Sequence, residues 1–96
     1  MKPAMKDKWV KALRSGKFEQ CNSVLHDGKT GYCCLGVLRH VADPKDKRSQ
    51  NNDHAFLSRP QLKQFGLTDK VQIALADLND DKVPFEVIAG LIDEAL

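Results

Sequence analysis

At 96 residues the chain is one small domain, large enough to bury roughly two-thirds of the surface its unfolded form exposes. Hydrophobic residues at 42% and charged residues at 29% exclude a disordered or fibrous class, and no apolar run approaches the ~20 residues that span a bilayer. A net charge of +2 excludes a general field for nucleic acid and leaves only local patches as candidates.

The charge is unevenly spread. Between Met1 and Lys17 stand Lys2, Lys6, Lys8, Lys11, Arg14 and Lys17 against Asp7 alone. Between Asp77 and Leu96 stand Asp77, Asp80, Asp81, Glu86, Asp93 and Glu94, with Lys82 as the only base. The N-terminal stretch lacks the apolar stretch of a secretory signal, so a cytoplasmic location with reduced Cys21, Cys33 and Cys34 is expected.

In chain order, "PAMKDKWVKALRSG" predicts a first helix. Pro3 suits its first turn, Met5, Trp9, Ala12 and Leu13 form an apolar stripe, and Gly16 fits the left-handed stop. "HDGKTGY" carries Asp-Gly and Thr-Gly turn signals. A strand over 19–25, that turn and a second strand would make a hairpin. The rival and favoured reading starts a helix just after Tyr32, because Leu35, Leu38, Val41 and Ala42 recur at helical spacing. Cys34 and Val37 then lie beside that face, and Gly36 permits close packing. This helix ends near Asp43, since Pro44 disfavours helical geometry before it.

Residues 43–57, polar and rich in Asn, read as a mobile surface loop. Ser58 caps a third helix that has Pro60 in its first turn and Gly66 as its stop. Thr68 caps a fourth with a Val71, Leu75, Leu78 stripe and Ile73, Ala74 and Ala76 partly buried beside it. Asn79, Asp80 and Asp81 end that helix. The fifth starts at Pro84 and places Phe85, Ile88, Leu91, Ile92 and Leu96 on one side. The prediction is one mainly helical α+β domain over 1–96, with four to five short helices and one small β-hairpin or strand pair.

Three chemistries are open to the "YCCLGVL" cysteines. A thiol at a helix start gains nucleophilicity from the helix dipole, and His26, His40 or His54 would have to act as its base. No glycine-framed nucleophile signature accompanies it, so no catalytic residue is assigned. A zinc site needs paired ligands at two-to-four-residue gaps, repeated. Cys21 and His26 have no matching second pair, so neither a metal nor another cofactor is assigned. The favoured reading makes Cys33 and Cys34 small buried apolar groups. The last two helices have a helix-turn-helix outline, but a final helix bearing Glu86, Asp93 and Glu94 would be repelled by phosphate.

What remains is a binding surface. Lys8, Lys11, Arg14 and Lys17 line the first helix and its exit, a patch suited to a small anionic ligand or an acidic protein face. The predicted contact residues are Lys11, Arg14, Gln20, Tyr32 and Asn79, with Asn79 expected to cap a loop as much as to touch a partner. A homodimer through the final helix stays open, as does a nucleic-acid-binding role for the basic first helix.

The strings "KWVKALRSGKFEQCNSVLHDGKTGYCCLGVL" and "LADLNDDKVPFEVIAGLIDEAL" resemble a family of small proteins encoded by bacteriophages and prophages. Arg39 and His40 stand where those relatives often show Cys-Asp, and Cys21-Asn22 stand where glycine and a basic residue are common. The resemblance implies an accessory protein inside a bacterial host. Such proteins commonly act by stoichiometric binding, inhibiting a host or defence protein or sequestering a nucleotide-type signal. A cysteine-dependent enzyme is the third alternative.

Overall fold

Five helices and one strand pair occupy the described residues, 1–44 and 55–96, of a computed structural model. The fold is a mainly helical α+β domain. α1 (Pro3–Arg14) begins on Pro3, carries Lys11 and Arg14 in its last turn, and exits through Gly16 at φ +74°. Bases at that end complement the partial negative charge of the helix C-terminus. Trp9 and Leu13 are buried and Met5 and Ala12 half-buried, as the stripe predicts; Val10 is buried as well.

The segment after α1 departs from the hairpin expectation. β1 (Glu19–Gln20) pairs with β2 (Gly31–Tyr32) in parallel, in the register Glu19 to Gly31 and Gln20 to Tyr32. The chain between them turns twice instead of returning as a strand. Ser23 takes a φ of 72°, with its N–H donated to Asp80 Oδ1 at 3.0 Å. Asp27 Oδ1 then collects the N–H groups of Lys29 (2.8 Å) and Gly31 (3.0 Å). Leu25, 1% exposed, plugs the loop into the core, and an isolated antiparallel bridge joins His26 to Tyr32. Those side-chain anchors outweigh strand propensity over so short a stretch.

α2 (Cys34–Ala42) bears out the helical reading. Cys34, Leu35, Val37 and Leu38 are all fully buried, and each large apolar side chain so placed contributes roughly 1.5–3 kcal/mol. Gly36 is required there, since a Cβ at this position would overlap the Leu25 carbonyl. Of the loop expected over 43–57, residues 45–54 lie outside the described residues, as does His54; Leu57 is buried, its N–H donated to Gln72 Oε1 at 3.0 Å.

α3 (Arg59–Phe65) starts on a capping box. Ser58 Oγ accepts from the Gln61 N–H while Gln61 Oε1 accepts from the Ser58 N–H. It stops at Gly66, which is left-handed at φ +69°. Thr68 caps α4 (Asp69–Asp80), and α5 (Phe85–Ala95) follows Pro84. α1 packs on α5 and α2, α2 on α4, and α4 on α5.

The inward face of α4 differs from the predicted one. Leu75 is buried with two polar residues, Gln72 and Asn79, whereas Val71 and Leu78 are half-buried and Ile73 and Ala74 exposed. On α5, Phe85, Ile88, Ala89 and Ile92 are buried and Leu91 is exposed. On α4 the buried positions are those whose amides find partners, Gln72 at Leu57 and Asn79 at Gln20, Cys21 and Cys34.

Candidate functional site

The paired cysteines sit where β2 hands over to α2. Cys33 is the N-cap, with extended backbone, and its Sγ accepts from the Gly36 N–H at 3.4 Å. Cys34 occupies the first helical position, and its three polar groups are all engaged. Its N–H donates to Asn79 Oδ1 (3.1 Å), its carbonyl accepts from Trp9 Nε1 (2.8 Å), and its thiol donates to the Leu75 carbonyl (3.6 Å).

A helix N-terminus favours a thiolate, while burial disfavours one. Burial wins here. It pushes the Cys33 thiol from an ordinary 9.0 up to about 11, despite the opposing hydrogen bond from Gly36, and it pushes Cys34 higher still. At neutral pH both are protonated thiols sealed in the core. His26, one of the candidate bases, directs Nδ1 to the Gly31 carbonyl at 2.7 Å and stacks on Tyr32. His40 packs edge-on against Phe18 and Tyr32.

The five predicted contact residues separate into three places. Lys11 and Arg14 are exposed on α1, along with Lys8, and Lys17 is exposed just past its end. Lys11 pairs with Asp7 at 2.9 Å, one turn back, with both side chains more than half exposed, so the pair adds only ~0.3–0.5 kcal/mol to the helix. Its charge remains available at the surface.

Gln20, half-buried, is brought together with Asn79. Asn79 is fully buried at the end of α4. Its Oδ1 accepts from Gln20 Nε2 as well as from Cys34, and its Nδ2 donates to the Cys21 carbonyl at 2.7 Å. Gln20 Nε2 also donates to the Val83 carbonyl at 2.7 Å. Asn79 therefore caps α2 from a distant helix and ties it to the strand pair. The loop-capping half of its predicted role is what this geometry serves.

Tyr32 lies in a half-buried cluster of rings that the sequence reading did not assemble. His26 stacks on it with centroids 4.1 Å apart and planes 15° apart; Phe18 and His40 meet it edge-on at 5.2 and 5.3 Å. Burial raises the phenol above its ordinary range, partly countered by the Arg39 cation, so the ring is neutral across physiological pH. Beside it, the Asp27 carboxyl is held below the usual range by the N–H groups of Lys29 and Gly31. The available signal was the spacing of Phe18, His26 and Tyr32 around turn residues. Placing His40 needed the α2 geometry.

A hollow of about 20 Å³ opens between Ser23, Cys33, Phe56 and Asp80. That is room for one water and far below the roughly 300 Å³ of a small-molecule pocket. Among the described residues no group of three His, Cys, Asp or Glu side chains converges as a metal site, and no described helix is long and apolar enough to cross a membrane.

Fold and site together define a small helical α+β domain with a buried Cys33–Cys34 pair and a cationic first helix. The chain belongs to a family described as a domain of unknown function, DUF8296, whose model matches residues 1–58. The match takes in α1, the strand pair, α2 and the α3 cap. Neither the curated proteins nor the solved structures give a match to this chain.

Proposed function

We propose that the protein is a non-catalytic binding domain whose α1 surface engages an anionic partner inside a bacterial host, in the manner of a phage accessory protein. The single observation that carries the reading is the division of labour around α1. Trp9, Val10 and Leu13 are locked into the core, while Lys8, Lys11 and Arg14 share the solvent face and Lys17 continues it past the helix end. A rigid helix presenting fixed cations suits an acidic protein face or a nucleotide-type anion. The burial of Cys33 and Cys34 weighs against thiol catalysis, because a protonated, enclosed sulfur is a poor nucleophile.

The resemblance to small phage-encoded proteins supplies the context: a cytoplasmic setting, with a host or defence protein, or its small anionic signal, as the target. The test uses immobilised protein and a Lys11→Glu/Arg14→Glu variant, each exposed to bacterial lysate and read by mass spectrometry. A stoichiometric partner retained by the parent and lost by the variant is expected; equal retention would overturn the assignment to α1. Binding to random duplex DNA that falls steeply with salt would instead assign α1 to nucleic acid.

A further inference from the structure

The outer side of α5 carries apolar side chains that stand exposed. Phe85, Ile88, Ala89 and Ile92 fill the inward side. At 100° per residue, Val87 and Leu91 fall on the opposite side, one turn apart, and they are 52% and 43% exposed. Between them stands Gly90, around which a Cβ would meet nothing within 4 Å. A glycine in a helix interior lowers helix stability, and here no positive φ or internal crowding calls for it. The feature such a gap does serve is the close approach of a second backbone.

The charges around this stripe identify the occupant. Glu86 and Glu94 are exposed at its two ends, and Asp93 lies at its flank, 4.0 Å from Lys6 of α1. Lys82, exposed just ahead of α5, is the nearest base in sequence. A second copy of this chain fits poorly, because a two-fold axis through Gly90 sets Glu86 of one helix against Glu94 of the other. An anionic lipid surface would be repelled by the same carboxylates. We propose that the Val87–Gly90–Leu91 face of α5 docks a cationic amphipathic helix of a partner protein, with two apolar anchors seated along the stripe and Lys or Arg residues reaching Glu86 and Glu94. This interface is separate from the α1 surface and opposite to it in charge.

The probe is a fluorescein-labelled 14-residue amphipathic helix made only of Leu and Lys, titrated with the full chain and followed by anisotropy. A Leu/Glu helix of equal length is the control. Binding of the Leu/Lys probe alone is expected, weakened at least tenfold by Val87→Ser/Leu91→Ser and several-fold by Glu86→Gln/Glu94→Gln. Circular dichroism checks that both variants keep the fold, since all four side chains project into solvent. Lys11→Glu/Arg14→Glu should leave this binding unweakened, which separates its failure from failure of the α1 reading. Unchanged affinity in the serine variant would overturn the proposal, because the probe would then be resting on acidic surface alone. So would a parent dimer in sedimentation that the serine variant turns into monomer.

Discussion

Two polar constellations of this molecule look alike in sequence and differ in kind once folded. Lys11 and Arg14 stand in water, on a helix whose other side is core. Gln20, half-buried, and Asn79 stand together, with Asn79 at 0% exposure and every buried side-chain polar atom among the described residues hydrogen-bonded. A surface charge costs little to keep and little to remove, whereas a buried amide is tolerated only while its partners stay in place. The first set is therefore open to selection for recognition, and the second is bound to the fold.

The sharpest break comes where backbone meets backbone beneath that interior set. Gly36→Ala drives a methyl into the Leu25 carbonyl, which itself accepts the Cys33 N–H at 3.0 Å. A loss of about 3 kcal/mol or more is expected, read as a lowered urea midpoint or failure to fold. Asn79→Ala comes next. It leaves the Cys34 N–H and the Cys21 carbonyl without their partner, for about 2–4 kcal/mol in the same measurement. A loss under ~0.5 kcal/mol would mean that water replaces the amide and that the interior set is less closed than its geometry implies.

Alkaline pH tests the same interior through its sulfurs. Folded Cys33 keeps its proton up to about 11, against an ordinary 9.0. Between those values the unfolded chain has lost the proton and the folded chain holds it, so the unfolded state binds fewer protons and stability falls as pH rises. The contribution is intact below pH 9 and disappears as pH climbs to the folded value, with a slope approaching about 1.4 kcal/mol per pH unit for each such thiol. Urea midpoints at pH 8, 9 and 10 should trace this decline, and Cys33→Ala should flatten part of it. The smallest effect belongs to the outer set: Lys11→Glu/Arg14→Glu should change stability by under about 1 kcal/mol while abolishing partner capture.

How far the sequence foretold this contrast depends on which signals are local. Caps are local. Ser58, Thr68 and Gly66 act within three or four residues of their own helix, and the structure uses them as read. The Leu35, Leu38 spacing likewise favours a helix over a strand without deciding between them, and the structure makes it α2 with both side chains fully buried. The parallel strand pair was not readable, because two residues carry no periodicity and Asp27, Ser23 and Asp80 decide the path through side-chain bonds.

The inward face of α4 was misread at Ile73 and Ala74 for a related reason. An apolar pattern gives no credit to Gln72 or Asn79, whose burial depends on partners at Leu57, Gln20, Cys21 and Cys34, from 15 to 59 positions away. Of the five predicted contact residues, the two on α1 needed only helical geometry to place. Gln20, Tyr32 and Asn79 needed the whole tertiary arrangement.

The Asn79 cap also makes the start of α2 depend on a distant part of the chain. The first turn of α2 is closed by an amide that lies 45 positions downstream, beyond the stretch matched by the family model. α2 thus takes two of the three Cys34 hydrogen-bond partners from α4, the Asn79 amide and the Leu75 carbonyl, and only the Trp9 indole from within the matched stretch.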